Sequence, residues 1–302
     1  MTITAAKLYF PGASFRSDHR AEELEKEFFS MIRVNGKVNK TTWGGRLADV
    51  DEHFENYLKD TGLSPRQYLD VGVSSGIITW DWCRKLKQSG RPYKMVATDL
   101  LFRSFLVPVG PGLKVLSDSH GGALQYDFFG YGIRSGRPRP RDWLSGVVVI
   151  SAFMRLLYHW RLSRSGLANS PTHSCDFSTA IKLNSDVREI QLISPRIRGD
   201  EEISFVENDL VTPAPDDMRG HFDVIRVANL LNHDYFSVDS MIAICRRLKK
   251  CMAKPNSLLI VCRTRSDGSN HGTIFRLSEE YLLVPVKRIG EGSEIEAIVA
   301  RA

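Results

Sequence analysis

The chain lacks the cysteine arrangement that marks a disulfide framework or a structural zinc site. Its 5 cysteines are scattered along 302 residues without a C-x-x-C pair, and three of them lie within or beside apolar runs that predict core positions. This pattern indicates a reducing compartment. Residues 1 to 10 also lack a basic start followed by a long apolar stretch, so we expect no secretory signal and a cytoplasmic location.

The sequence also has no internal repeat, no low-complexity tract and no apolar run of bilayer length. Residues 143 to 154 form an uncharged apolar stretch, but a bilayer-spanning helix needs about twenty such residues. Hydrophobic residues make up 42% of the chain and charged residues 25%. The composition is therefore that of an ordinary globular protein that can bury a full core.

Excess positive charge is confined to one segment. Residues 101 to 200 hold 13 Lys and Arg against 7 Asp and Glu, whereas the remainder holds 28 of each kind. Between residues 134 and 164 the arginines are opposed only by Asp142. The apolar stretch among these arginines is expected to pack on its own domain or close over an active site, with peripheral membrane contact as the alternative. Nucleic acid is the least favoured partner, because stacking aromatics do not alternate regularly with the arginines.

Hydrophobic periodicity predicts an alternation of strands and helices. Apolar residues at helical spacing indicate helices within residues 18 to 60. The predicted strands and helices that follow lie at residues 68–72, 77–88, 93–98, 202–206, 222–231, 241–252 and 257–263. Two runs near the end of the chain, at residues 281–286 and 294–300, predict an antiparallel pair.

This alternation predicts an α/β fold with a doubly wound, mostly parallel seven-stranded sheet. The regular pattern stops after Asp99 for about a hundred residues, which is longer than a crossover connection requires. We therefore expect an N-terminal helical segment over residues 1 to 64. The sheet domain is expected over residues 65 to 302, interrupted by a basic insertion at residues 101 to 200 that acts as a lid, an acceptor-binding part or a membrane-facing subdomain.

The sharpest motif lies where the first predicted strand meets the next helix. Residues 70 to 76 read DVGVSSG, and glycines at both ends permit a tight turn and close approach of a ligand. A carboxylate at Asp70 suits a cationic amino acid better than a pyrophosphate. Asp99, at the tip of the second strand, can accept both hydroxyls of a ribose. This spacing also fits NAD, but the dinucleotide pattern G-x-G-x-x-G has a middle glycine that Ser74 replaces here.

The motifs resemble those of the class I S-adenosylmethionine-dependent methyltransferases over residues 65 to 100 and 202 to 302. The resemblance implies a Rossmann-like fold and S-adenosylmethionine as cofactor, with no metal. It further implies that Asp70, Gly72 and Gly76 contact the methionine part and that Asp99 contacts the ribose. The complete set of expected cofactor-binding residues is Asp70, Gly72, Ser74, Ser75, Gly76, Asp99, Leu100, Asn208, Asp209, Leu210 and Asn229.

Two further motifs carry this resemblance into the second half of the chain. The third motif of the family matches Asn208, Asp209 and Leu210, which places them beside the adenine. The fourth matches residues 222 to 231, with Asn229 near the cofactor. This half is most similar to the chemotaxis-receptor type, although the insertion at residues 101 to 200 has no counterpart there.

Methyl transfer requires mainly an in-line approach of the acceptor, so a general base is optional. Candidates after the fourth and fifth predicted strands are His233, Asp234, Tyr235 and His271. Each also has a structural interpretation: His233 can cap an element, and residues 267 to 269 can form a plain turn. Helix capping or turn formation would likewise account for Asp70, Asp99 and Asn229.

The sequence therefore predicts a methyltransferase that transfers the methyl group directly to a small or amphiphilic acceptor. A protein carboxyl methyltransferase, a non-catalytic S-adenosylmethionine-binding module and an NAD-dependent oxidoreductase are the alternatives.

Overall fold

The computed structural model describes residues 3–10, 18–34, 38–40, 42–136, 138–144, 146–164, 186–197, 199–213 and 215–302. The chain divides into two compact units, of which the first comprises Met1–Trp43 and Leu101–Arg196 and the second Gly44–Leu100 and Ile197–Ala302. In this division the first 43 residues group with the insertion, whereas the sequence predicts a separate N-terminal segment over residues 1 to 64. Hydrophobic periodicity predicts where a helix lies in the sequence, but it does not reveal the sheet on which that helix packs.

The second unit contains the expected sheet. Its elements are α3 (Ala48–Thr61), β3 (Gln67–Val71), α4 (Ile77–Gln88), β4 (Lys94–Asp99), β10 (Ile203–Glu207), β11 (Val224–Ala228), α7 (Val238–Cys251), β12 (Leu258–Thr264), β13 (Asn270–Leu277), β14 (Leu283–Ile289) and α8 (Glu296–Val299). The seven strands lie in the order β10-β4-β3-β11-β12-β13-β14. The first five pair in parallel, and β13 is antiparallel to both of its neighbours. The predicted α/β fold with a mostly parallel seven-stranded sheet is confirmed.

Successive side chains of the central strands point to opposite faces of this sheet, and both faces are buried. Leu69 and Ile225 belong to an apolar cluster with Ile244 and Leu248 of α7. On the other face, Trp82 of α4 makes edge-to-face ring contacts with Phe54 of α3 and Tyr68, with centroids 5.8 and 5.4 Å apart. The helices therefore cover both faces, which is the doubly wound arrangement.

The predicted antiparallel pair at the end of the chain was wrong. The pair that forms is β13 with β14, and Glu296–Val299 is a short helix. Polar turn residues just before β13 concealed the strand, whereas Ile295, Ile298 and Val299 are all buried at helical spacing.

The first unit is built on an antiparallel sheet. Its described elements are α1 (Ala5–Tyr9), α2 (Asp18–Met31), β1 (Arg33–Val34), β2 (Val38–Asn39), β5 (Arg103–Gly110), β6 (Leu113–Asp118), β7 (Ala123–Phe128), β8 (Tyr131–Arg134), α5 (Pro140–Leu144), α6 (Val147–Arg164) and β9 (Arg188–Gln191). Five strands lie in the order β8-β7-β6-β5-β9. The expectation that the insertion has structure of its own is met by this sheet.

Helices cover both faces of the five-stranded sheet. Leu106 belongs to an apolar cluster with Phe28 and Phe29 of α2, whereas Phe105 and Val107 belong to a second cluster with Met154 of α6. Among the helices that the structure describes, none has the length and apolar character required to cross a membrane.

Candidate functional site

The turn after β3 has an unusual backbone at every second residue. Gly72, Ser74 and Gly76 have φ values of 74°, 59° and 77°, a region that glycine adopts readily and serine does not. A Cβ added at Gly72 would lie 2.7 Å from Cδ2 of Leu230, in the loop after β11. Ser75 in the same turn is buried. Ser74 is therefore held in a strained backbone conformation, as residues of functional turns often are.

Asp99 joins this turn to the tip of β4. The backbone N–H of Ser74 donates to Oδ2 of Asp99 at 2.7 Å. The N–H groups of Gly72 and Val73 both donate to the Thr98 carbonyl, and that of Gly76 donates to the Val73 carbonyl. Four amides of the turn are therefore bonded to the chain itself, and a carboxylate lies among them. A phosphate-binding loop has the opposite character, with amides directed at the anion.

Asp70 has a different environment from the one expected of a cofactor-binding residue. It is buried, and Arg226 donates to Oδ1 and Oδ2 of its carboxylate at 3.0 and 2.5 Å. The hydroxyl of Thr79 donates to the same Oδ2 at 2.7 Å. Asp70 was expected to contact the methionine part of the cofactor; in the structure its buried carboxylate is bound to a cation of the chain.

Arg226 is the centre of a buried charged group that the sequence analysis missed. Its Nη1 donates to Oδ1 of Asp51 at 2.9 Å, and its guanidinium lies over the ring of Trp82 at 4.1 Å. Burial raises the pKa of Asp51 to about 7, although Arg226 opposes this shift. The available signal was a lone arginine within the apolar run of residues 222 to 231, since a buried arginine requires acidic partners.

The loops after β4 and β10 meet at the same edge of the sheet. The N–H of Asn208 donates to the Asp99 carbonyl at 2.9 Å. Leu100, directly after Asp99, is 46% exposed although it is a large apolar residue. Asp209 closes its own turn by accepting the N–H of Val211 at 3.0 Å, and Leu210 packs partly against the apolar core. An exposed apolar side chain and polar loop atoms thus lie at the same edge of the sheet as Asp99.

Asn229 follows β11 with a positive φ of 58°. Its Oδ1 accepts the N–H of Thr264 at 2.7 Å, which ties the tip of β11 to that of β12. Asparagine tolerates this backbone conformation better than most residues. The side chain therefore has a structural partner at the position where a cofactor contact was expected.

The candidate bases lie along the carboxyl edge of β11 and β12. His233 and Tyr235 are exposed in the loop after β11. Asp234 forms an ion pair with Arg263 at 2.6 Å, and Arg263 is the register partner of His271 on β13. The structure thus brings all four expected residues to one side of the sheet edge.

His271 is held by both ring nitrogens. Nδ1 accepts the N–H of Glu291 at 2.9 Å, and Nε2 lies 3.0 Å from Oγ of Ser269. An acceptor at Nδ1 places the proton of a neutral ring on Nε2. Ser269 in turn donates to Asp267 at 2.6 Å. In this arrangement His271 donates to Ser269, which is the reverse of what a base that activates this serine would do.

The strand order identifies the crevice at this edge. From β3 the chain proceeds to β4 and β10 on one side, and then returns to β11 on the other side of β3. Ligands of open α/β sheets bind at the carboxyl ends of the strands where the order reverses in this way. The turn at residues 72 to 76 and the loop containing Asn229 and Leu230 border this position.

Comparison with known proteins yields resemblances at the level of the fold alone. No protein-family model matches the chain. No curated protein matches it either. Similar solved structures include the methyltransferase domain of the citrinin polyketide synthase, with a TM-score of 0.33, 12% identity and coverage of 72% of this chain and 34% of that one.

Two further structures with similar scores are methyltransferases bound to ligands. The N-methyltransferase NodS from Bradyrhizobium japonicum, in complex with S-adenosylhomocysteine, has a TM-score of 0.31 and 12% identity, with coverage of 74% and 65% of the two chains. The amino pentose methyltransferase CalS10 from Micromonospora echinaspora, bound to S-adenosylmethionine, has a TM-score of 0.31 and 12% identity, with coverage of 79% of this chain and 64% of that one. The chain spans less than two thirds of the length of each of these proteins, and similarity at this level does not establish a common activity.

Proposed function

We propose that this chain is an S-adenosylmethionine-dependent methyltransferase that acts on a small or amphiphilic acceptor by direct in-line transfer. One observation carries the proposal: at the switch point of the sheet, the Asp99 carboxylate binds the N–H of Ser74 at 2.7 Å in a turn with three positive φ values. This arrangement supports the proposal, because a carboxylate that could accept the hydroxyls of a ribose lies beside a turn whose glycines would allow close approach of a nucleoside.

The same turn argues against a dinucleotide. A pyrophosphate requires N–H groups directed at its oxygens, but those of Gly72, Val73, Ser74 and Gly76 already bind acceptors within the chain. S-adenosylmethionine contains no phosphate and carries a positive sulfonium, so it is compatible with this turn.

The donor and acceptor groups present fit a nucleoside. When bound, S-adenosylmethionine supplies an electrophilic methyl group. Asp99 would accept the ribose hydroxyls, because a carboxylate can accept about four hydrogen bonds; it also accepts the Ser74 N–H. The exposed side chain of Leu100 would lie against the adenine, and the loop of Asn208, Asp209 and Leu210 would border it.

The proposal assigns no role in binding to Asp70, which differs from what the family resemblance implied. The turn of Gly72, Ser74, Ser75 and Gly76 would lie against the amino acid end of the cofactor. Asn229 would border the cofactor from the loop after β11, while its side chain still accepts the hydrogen bond from the Thr264 N–H. Asp70 instead holds β3 to β11 through Arg226.

The acceptor would be held near the loops after β11 and β12. His233 and Tyr235 are exposed there and could contact it. Asp234 is paired with Arg263. The ring nitrogens of His271 are hydrogen-bonded to Ser269 and Glu291. In-line transfer depends mainly on the alignment of the methyl acceptor, and a general base is less important. We therefore assign His233 and Tyr235, rather than His271, as the first candidates for acceptor contact.

Calorimetric titration with S-adenosylhomocysteine and with NAD tests the cofactor. We expect saturable heat with S-adenosylhomocysteine and none with NAD; the reverse result would overturn the proposal in favour of an oxidoreductase. Incubation with methyl-labelled cofactor then separates the remaining alternatives. Base-labile label on protein would indicate a protein carboxyl methyltransferase, and binding without any methylated product would indicate a non-catalytic module.

We also propose a cytoplasmic location. Cys83, Cys245, Cys251 and Cys262 all carry buried, free thiols, and burial raises the pKa of Cys245 to about 11. Such thiols are characteristic of a reducing compartment.

A further inference from the structure

Helix α6 is apolar on two opposite faces. Its inner face places Met154, Tyr158 and Leu162 against the five-stranded sheet. Its outer face carries an exposed stripe at spacings of four, three and four residues, which a 3.6-residue period aligns into a single line. The members of this outer stripe and their exposed fractions are Val149 at 73%, Phe153 at 46%, Leu156 at 68% and Trp160 at 49%.

A helix on the surface of a soluble domain normally presents polar residues to water. Here four large apolar side chains lie in line, and Trp143 of the preceding helix α5 adds a fifth that is 67% exposed. Singly exposed apolar residues are common, but a contiguous set indicates a contact surface. The outer stripe therefore requires a partner that supplies an apolar environment.

Exposed positive charge lies on the same helix as this stripe and just before α5. Arg155 and Arg164 are exposed on α6, and the guanidinium of Arg164 lies 4.1 Å from the ring of Trp160. Arg139 is also exposed just before α5. The sequence of α6, VVVISAFMRLLYHWRLSR, contains no acidic residue. The partner must therefore tolerate or supply negative charge.

The charge distribution distinguishes between possible partners. A second copy of the chain, packed stripe against stripe, would bring arginines towards arginines with no carboxylate on either α6 to compensate. An anionic lipid surface offers acyl chains to the stripe and negative headgroups to the arginines. Tryptophans at the margin of an apolar helix face are also typical of the membrane interface.

We infer that the outer stripe of α6 binds an anionic membrane surface, with the helix lying in the plane of the interface. Its 18 residues give a length of about 27 Å. The inner face remains on the sheet, so the domain stays folded while it docks. This inference does not depend on the proposed methyl transfer, because the residues that carry it belong to a different unit from the candidate site.

Vesicle flotation with the full chain tests the inference. The vesicles contain either phosphatidylcholine alone or phosphatidylcholine with about 30% phosphatidylserine, an amount that makes the surface clearly anionic. We expect the protein to float with the anionic vesicles at least about tenfold better than with the neutral ones, and to be released as salt screens the arginines. A protein that stays at the bottom with both vesicles would overturn the inference.

Two variants separate the apolar from the charged contribution. The triple variant Phe153→Ser, Leu156→Ser, Trp160→Ser should reduce flotation at least about tenfold, because each serine removes apolar area from the interface. The variant Arg155→Glu, Arg164→Glu should lose the preference for anionic vesicles. The matched controls are Val211→Ser, Tyr281→Ser, Leu282→Ser, exposed by 54%, 59% and 55% in the other unit, and Arg219→Glu, Arg301→Glu.

The controls should float like the wild type, and circular dichroism should show that all variants remain folded. Sedimentation equilibrium provides the opposing outcome. If the wild type forms a dimer that the triple serine variant abolishes, the stripe is covered by a second copy and the membrane inference is wrong. Undiminished flotation of a folded triple variant would contradict it as well.

Discussion

Arg226 and Asp70 are register partners on the adjacent parallel strands β11 and β3, and the guanidinium of Arg226 binds both carboxylate oxygens of Asp70 at 3.0 and 2.5 Å. The bidentate pair lies beneath α4, and Asp51 supplies a second carboxylate from α3. This buried group connects the two central strands directly below the turn that carries the candidate site. It explains why an acid at the end of β3 can be required by the fold without touching a ligand.

Removal of the buried cation should destabilise the sheet strongly. The variant Arg226→Met leaves Asp70 and Asp51 without their counter-charge, so we expect the free energy of unfolding to fall by about 3–5 kcal/mol. Urea denaturation measures this loss. Arg263→Met is the matched control, because Arg263 forms two ion pairs at the surface and should cost only about 1 kcal/mol. Equal losses in both variants would contradict the assignment.

Stability should depend on pH through Asp51. Its pKa is raised to about 7 in the folded chain by burial, against about 3.9 when unfolded. Between these values the folded state binds more protons than the unfolded one, so the free energy of unfolding falls as pH rises from about 4 to 7, by up to about 1.4 kcal/mol per pH unit.

The variant Asp51→Asn should lack this component of the pH dependence, because the amide does not titrate. Urea denaturation at pH 5, 6, 7 and 8 gives the slope for both proteins. Asp60→Asn, on an exposed position of the same helix, should retain the wild-type slope. Parallel pH profiles for wild type and Asp51→Asn would show that Asp51 stays ionised throughout.

Ser74→Gly should stabilise the protein, because serine at a φ of 59° is strained and glycine is not. Part of this gain is offset by the greater chain entropy of glycine, so we expect about 0.5–1 kcal/mol in urea denaturation. The neighbouring Ser75→Gly relieves no positive φ and should destabilise by a similar amount. A destabilised Ser74→Gly variant would mean that the serine side chain contributes more than its strained backbone costs.

Asp99→Ala should weaken the binding of S-adenosylhomocysteine by about 1–3 kcal/mol, since buried ribose hydroxyls would lose their acceptor. Calorimetric titration measures the affinity, and Asp99→Asn should lose less because it keeps one carbonyl oxygen. The control Asp216→Ala removes a carboxylate with a side chain 90% exposed and should bind like the wild type. Unchanged affinity in a folded Asp99→Ala variant would place the nucleoside elsewhere.

Much of the sheet unit could be predicted because the signals are local. The helix expected at residues 77 to 88 matches α4 (Ile77–Gln88), and Asp99 ends β4 as expected. A glycine turn and an acidic residue at the end of a strand are recognisable from the few residues around them. The turn at residues 72 to 76 was likewise recognisable from its glycines, although the positive φ at Ser74 was not.

Other features depended on partners that no local pattern reveals. The strand β13 was not predicted, because pairing with β12 overrides the turn preference of its first residues. The exposed stripe of α6 also appears only in the structure. The sequence showed an apolar stretch at residues 143 to 154, but it did not show that the five-stranded sheet covers only one face of the helix formed there.

The order of strands and helices, the tight turn after β3 and the position of Asp99 are encoded locally, by short-range periodicity and backbone preference. The contacts of these residues are not encoded locally. Asp70 and Arg226 lie 156 positions apart in the chain, and their contact arises solely from the pairing of β3 with β11. A buried carboxylate must be satisfied by whichever cation the fold brings to it, and that choice is made in three dimensions.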